Sequence, residues 1–178
     1  MKDPHGIIVF GANGSGKTTF GRELARILNF KHMDIEDYCF GKSEIPYTNP
    51  RPRENYIDLM LKDIQKYRSF VISTVMGDLG EIIPQYYKLG VYLSAPHELR
   101  MERVKQRAYG QFGERIREGG DMYEQEQRFF DFVATRPLFK IDQWAETLTC
   151  PVIRVDGTAD WRVSAGVIAK HYYQLNYE

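Results

Sequence analysis

An α/β fold, in which a parallel sheet is covered by helices on both faces, is predicted by three observations. Short runs rich in Val, Ile, Phe and Tyr alternate with stretches of helical periodicity along the chain. The first run, Gly6 to Phe10, leads directly into the glycine-rich octapeptide Gly11 to Thr18, which leads directly into a helical pattern. A length of 178 residues, 43% of them apolar and 27% charged, suits one globular domain, 1–178, with a sizeable core.

The elements follow in order. Phe20, Leu24, Ile27 and Leu28 share one face of a helix over 17–28, with Arg22, Glu23 and Arg26 opposite. Lys31–Ile35 reads as a short strand that delivers Asp34, Glu36 and Asp37 at its C-terminal end, the end at which open α/β sheets bind ligands. The proline-interrupted stretch 41–53 reads as irregular, and Ile57, Met60, Leu61 and Ile64 define a helix over 54–67. A strand over 69–76 breaks at Gly77-Asp78-Leu79-Gly80; a short helix over 81–88 precedes a strand over 90–94. Pro96 opens a helix over 97–109, because proline suits a first helical position. The glycine-rich, charged stretch 110–120 reads as mobile. Helices over 121–135 and 139–148, a last strand over 152–155, the turn Asp156-Gly157-Thr158 and a closing helix over 161–175 complete the chain.

Charge and composition exclude some classes of function. Lys plus Arg equals Asp plus Glu at 24 each, so no overall basic field points to nucleic acid. Cys39 and Cys150 lack the number and spacing of a disulfide framework or zinc site, and His5, His32, His97 and His171 lack ligand spacing. No apolar run approaches membrane-spanning length, and Met1 to Pro4 shows no charged-then-apolar leader. The expectation is a cytoplasmic protein without membrane contact.

The octapeptide carries the chemistry. Gly11, Gly16, Lys17 and Thr18 fill the pattern G-x-x-x-x-G-K-[ST], and the whole loop (Gly11, Ala12, Asn13, Gly14, Ser15, Gly16, Lys17, Thr18, then Thr19 in the helix) would turn backbone N–H groups onto a polyphosphate. The helix N-terminus adds its positive end. Lys17 would reach the β- and γ-phosphates and Thr18 would ligate Mg²⁺. ATP and Mg²⁺ are therefore the expected cofactors.

With this loop, the segment Val91 to Arg107 and the glycine-rich stretch after it, the chain resembles the small P-loop kinases: nucleoside monophosphate, shikimate, gluconate and nucleoside kinases. The resemblance implies a three-layer P-loop NTPase fold with a five-stranded parallel sheet, an acceptor-binding segment at about 36–67 and a short lid at about 108–120. It implies that Arg103 lies against the adenine, that Arg107 points at the transferring group, and that lid arginines, Arg117 among Arg115, Arg117 and Arg128, clamp the phosphates. It places backbone contact with the base at Gly157. It also implies an acceptor-side acid at Asp34, where a carboxylate can take the hydroxyl proton, with Asp37 second because alternate strand residues point to opposite faces. Arg51 and Arg53 lie in the acceptor region and suit an anionic group.

Departures from the family patterns leave the acceptor open. Ile72 to Asp78 offers neither the Asp and Gly-Phe-Pro-Arg-like segment of nucleoside monophosphate kinases nor the glycine triplet of shikimate kinases. Ser73 or Thr74 stands where a hydroxyl could reach Mg²⁺ through water. The expected activity is transfer of the γ-phosphoryl group of ATP to a nucleoside, a nucleotide or a hydroxylated metabolite, by a monomer or homodimer. The rivals are a nucleotide-binding regulator or slow ATPase acting with a macromolecule, and a kinase acting on an RNA end.

Overall fold

Alternate residues along the strands form two apolar sets, and the fold buries each against its own layer of helices. The computed structural model describes residues 3–77 and 79–175, so Met1, Lys2, Asp78 and the last three residues lie outside the described residues. The strands are β1 (His5–Phe10), β2 (Lys31–Asp34), β3 (Ser69–Thr74), β4 (Tyr87–Ser94) and β5 (Val152–Asp156). They form one parallel sheet in the order β2-β3-β1-β4-β5.

Ile7, Val9, Val71, Val91 and Leu93 point to one face and meet Phe20 and Leu24 of α1 (Lys17–Leu28) and Ala165 and Ile168 of α7 (Trp161–Leu175). Ile8, Phe10, Phe70, Ile72 and Tyr92 point to the other and meet Met60 and Ile64 of α3 (Arg53–Tyr67) and Ile141 of α6 (Phe139–Ala145). This is the three-layer α/β arrangement that the alternation of strands and helices predicts. β1 sits between β3 and β4, so the loop after it opens at the crevice where strand order reverses.

Four expected boundaries differ. β2 stops at Asp34, because the Asp34 carboxylate accepts the Glu36 N–H at 3.2 Å and caps a short helix, α2 (Ile35–Cys39), which replaces the expected continuation of the strand. β3 ends at Thr74, whose hydroxyl donates to the Met76 carbonyl and turns the chain away from the ladder. The expected helix over 81–88 is only a 3₁₀ turn, Ile83–Tyr86, since Tyr87 already pairs in the sheet. The expected mobile stretch 110–120 is folded: α4 (His97–Phe112) runs through Gly110, a 3₁₀ turn spans Gly113–Ile116, and α5 (Tyr123–Thr135) follows.

Burial accounts for that last difference. Ile116 and Met122 pack with Val104 and Ala108 of α4 and Phe130 and Val133 of α5 in a third apolar cluster, against which Ile45 of the irregular segment also lies. A glycine-rich charged stretch thus hides two anchors whose weight becomes visible only when α4 and α5 pair.

Leu24 is fully buried between α1 and the sheet. Leu24→Ala should cost about 2–5 kcal/mol in equilibrium denaturation, read as a lower midpoint with an unchanged slope.

Candidate active site

Close backbone packing shapes the glycine-rich loop. Gly14 has φ +79°, and a Cβ there would lie 2.3 Å from the Arg100 carbonyl oxygen of α4, so both conformation and space demand glycine. The Arg100 side chain is itself buried; its Nε donates to the Ala95 carbonyl and its Nη1 to the Asn13 carbonyl at 3.3 Å. The loop is therefore held from outside by an arginine that charge patterning alone would assign to the surface. α1 starts at Lys17, which leaves the first-turn N–H groups without intrahelical acceptors and facing the crevice.

Within the loop, the Lys17 ammonium folds back to donate to the Ala12 carbonyl at 2.9 Å. Burial lowers its pKa from 10.5 to about 8; the Arg107 and Arg136 charges push the same way, and Glu36 and Asp34 oppose them. The Thr18 hydroxyl donates to Asp34 Oδ2 at 2.7 Å, which joins the residue expected to ligate metal to the end of β2. Ser73 lies below, its hydroxyl donating to the Lys17 carbonyl at 3.2 Å and 2.9 Å from His32 Nε2. Ser73 and Thr74 thus spend their hydroxyls on the scaffold, and the expected water-mediated reach to metal has no support in their contacts.

β4 and β5 close the other side. The Gly157 N–H donates to the Ser94 carbonyl at 2.7 Å, and Arg103 Nη1 donates to the Gly157 carbonyl at 2.9 Å. A Cβ on Gly157 would lie 2.6 Å from the Ser15 carbonyl oxygen, so the Asp156-Gly157-Thr158 turn rests directly on the loop. Together these residues line an open cleft of about 620 Å³ that runs from Gly14–Thr19 past Arg103 and Arg107 to Asp156, Gly157 and Trp161.

A second cavity of about 320 Å³ lies between the irregular segment and the α4–α5 pair. Glu36, Phe40 and Tyr47 form one wall; Arg107, Gln111, Phe112, Gln125, Glu126 and Phe129 form the other. Arg107 lines both spaces and marks where they meet. Burial, reinforced by the Asp34 charge, raises the pKa of Glu36, while Arg107 and Lys17 pull it down. Burial likewise raises that of Glu126 against the pull of Arg107.

The structure thus gathers Gly14 to Thr19, Arg103, Arg107 and Gly157 around one crevice and joins Asp34 to it through Thr18, while Gly11 to Asn13 belong to the same loop but do not line the crevice. It does not bring the other expected residues there. Asp37 is exposed, and Asp34, although joined to the crevice through Thr18, spends one carboxylate oxygen there and the other on capping α2; of the three acids at the end of β2, Glu36 is the one that lines the second cavity. Arg51 donates through Nη1 to the carbonyls of Asp37, Tyr38 and Phe40, which fastens α2 rather than a ligand. Arg53 begins α3 on an exposed position and lines neither space. Arg117 pairs with Glu114 at 3.1 Å on the surface, Arg115 with Asp121 at 2.7 Å and Arg128 with Glu124 at 3.5 Å, so none of the three expected clamps reaches the crevice. Sequence reading also passed over Arg136, whose guanidinium lies 3.5 Å from Asn13 Oδ1 and is half-buried next to Lys17. Its position between a long helix and Pro137 was the available signal.

The donor set fits a polyphosphate and a hard cation. The Ser15 hydroxyl is buried and finds no hydrogen-bond partner among the described residues, a cost that an anionic oxygen in the loop would remove. Thr18 and Asp34 supply oxygen donors of the kind Mg²⁺ prefers.

Gly14→Ala should abolish nucleotide binding, read by calorimetry against a folded control with the same far-ultraviolet spectrum. Because the ammonium form of Lys17 is the one that attracts phosphate, affinity should fall as pH rises through about 8. A bound polyanion raises that pKa, so binding near pH 8 should take up protons. Calorimetry in two buffers of different ionisation enthalpy reads the uptake, and Lys17→Met should lack it.

Comparison with known proteins agrees with this architecture. A family profile described as an AAA domain matches residues 7–128. The chain is 27% identical over 160 residues to the uncharacterized protein YqaC of Bacillus subtilis (strain 168), which covers 84% of this chain and 87% of that one. It superimposes on the shikimate kinase of Acinetobacter baumannii, solved with shikimate, with a TM-score of 0.54 and 20% identity over 96% of this chain and 94% of the other. A gluconokinase of Sinorhizobium meliloti 1021 gives 0.51 and 17% over 97% and 98%. The chain therefore belongs to the AAA domain family and has the fold of the P-loop small-molecule kinases.

Proposed function

We propose that the protein transfers the γ-phosphoryl group of ATP, with Mg²⁺, to a hydroxyl of a small-molecule acceptor. The observation that carries this reading is the meeting of two spaces at Arg107: a cleft along the glycine-rich loop and a second, smaller cavity beside it. A nucleotide switch or an ATPase needs only the first.

In this reading the loop N–H groups and Lys17 hold the phosphates, and Arg103 and Gly157 flank the base. Thr18 and Asp34 hold Mg²⁺, which would supply positive charge to the β- and γ-oxygens. Arg107, from the side of the second cavity, and Arg136, beside the loop, add positive charge near Lys17, as a loose phosphoryl transition state requires. Glu36 is the proton acceptor, because it lines the acceptor cavity and its raised pKa makes it a better base than an ordinary surface carboxylate. The lid arginines Arg115, Arg117 and Arg128 would have to leave their surface ion pairs to take part, a modest cost for exposed pairs. The reading needs neither membrane nor nucleic acid, and it takes the chain as a cytoplasmic monomer or homodimer.

ATP carrying ¹⁸O in its γ-phosphoryl group, incubated with the enzyme and a pool of cellular small molecules, should deliver the label to an organic phosphate detected by mass. Label appearing only as inorganic phosphate would replace the kinase with an ATPase. Glu36→Gln should lower kcat by about 10²- to 10⁴-fold with ATP affinity unchanged, whereas Asp34→Asn should raise the Mg²⁺ concentration needed for half-maximal rate.

A further inference from the structure

The lining of the second cavity restricts what can enter it. Four aromatic rings, those of Phe40, Tyr47, Phe112 and Phe129, line its walls, and Phe40 and Tyr47 stand edge to face with centroids 5.4 Å apart. Tyr47 holds φ +65°, a conformation rare for an aromatic residue, and its side chain lines the cavity. Such walls favour a flat ring.

The polar groups are as selective. Gln111 lies on α4 one helical turn beyond Arg107 and hydrogen-bonds the Tyr47 side chain. Gln125 on α5 donates to the Pro46 carbonyl at 3.2 Å, so it ties α5 to the segment that carries Tyr47. Side-chain amides of this kind pair with the alternating donor and acceptor edge of a heteroaromatic base. A volume of about 320 Å³ is at the small end for ligand pockets.

Charge excludes the anionic acceptors. Arg107 is the only cation among the described residues that line the cavity, and it sits at the junction where the transferring group must lie. Two carboxylates, Glu36 and the buried Glu126, line the same space. Of the two arginines expected to meet a carboxylate or phosphate, Arg51 is occupied by three backbone carbonyls and Arg53 does not line the cavity. An acid or a monophosphate would find Arg107 as its only cationic partner among the described residues that line the cavity.

We propose that this cavity takes an uncharged nucleoside as the phosphoryl acceptor, its base between the aromatic walls near Gln111 and Gln125 and a sugar hydroxyl at Glu36 and Arg107. The proposal rests on the phosphotransfer reading above. The hydroxyl oxygen bonds the γ-phosphorus as the bond from that phosphorus to the β,γ-bridging oxygen breaks; the electron pair leaves with ADP, and the hydroxyl proton passes to Glu36.

ADP release from Mg²⁺-ATP is measured with four acceptor sets: ribo- and deoxyribonucleosides, the matching monophosphates, shikimate and gluconate, with Lys17→Met as blank. At least one nucleoside should raise the rate about 100-fold over the no-acceptor rate, a gain within what positioning of an acceptor supplies. Its monophosphate should appear by mass, and the acids and monophosphates should leave the rate at baseline. Gln111→Leu and Phe129→Ala should each raise the nucleoside KM about tenfold or more while leaving the ATP dissociation constant unchanged. Acceleration by an acid or a nucleotide, with the nucleosides inert, overturns the nucleoside assignment and leaves the kinase reading standing. Tight ATP binding with no acceleration by any compound overturns the kinase reading and the assignment with it. Unchanged nucleoside KM in both variants overturns the location.

Discussion

Backbone-to-backbone contact at the glycine-rich loop is the constraint on which the rest of the site depends. Gly14 lies on the main chain of α4, and Gly157 lies under the main chain of Ser15, so two elements distant in sequence touch the loop without side chains between them. Close contact of this kind orients the N–H groups of the loop before any ligand arrives. Electrostatic stabilisation by oriented dipoles is effective for that reason, since no reorganisation is needed when charge develops. It also explains the buried Arg100, whose guanidinium bonds the Ala95 and Asn13 carbonyls and so locks α4 to the loop.

The acidic group at the end of β2 shows how one residue can change the assignment of a site. Three acids within four positions compete for one role, and the sequence expectation put Asp34 first and Asp37 second. Asp34, however, ends the strand by capping a helix. From there the periodicity is helical, and Glu36 rather than Asp37 turns to the cavity. The two carboxylates sit in different environments: Asp34 is hydrogen-bonded to Thr18 and a backbone N–H, while partly buried Glu36 has a pKa raised by desolvation beside Arg107 and Lys17. Separated environments of this kind commonly give neighbouring acids different chemical roles.

The lid follows a different logic. Its charged residues pair with one another on the surface, Arg115 with Asp121 and Arg117 with Glu114, and its apolar residues Ile116 and Met122 fasten it to α4 and α5. The segment combines a firm apolar base with exposed ion pairs that cost little to exchange. Gln125 links α5 to the segment carrying Tyr47, so both walls of the second cavity are tied together.

The sequence by itself determined the sheet-and-helix class, the glycine-rich loop with its strand before and helix after, and the neighbourhood of Arg103, Arg107 and Gly157. The class and the loop are local features, periodicity of two or of 3.6 and glycines placed where a backbone must bend; the three residues were implied by the resemblance to the small P-loop kinases. Only the tertiary structure decided that Glu36 lines the cavity in place of Asp34, that Arg51 fastens α2, that Arg117 stays on the surface, and that Arg100 and Arg136 belong to the loop. Each of those depends on which group comes within hydrogen-bonding distance or is removed from water after distant segments pack. A charged residue looks the same in a sequence whether its partner is a ligand, a backbone carbonyl or an ion pair on the surface, and the energy that separates those cases arises from burial and contact across the fold.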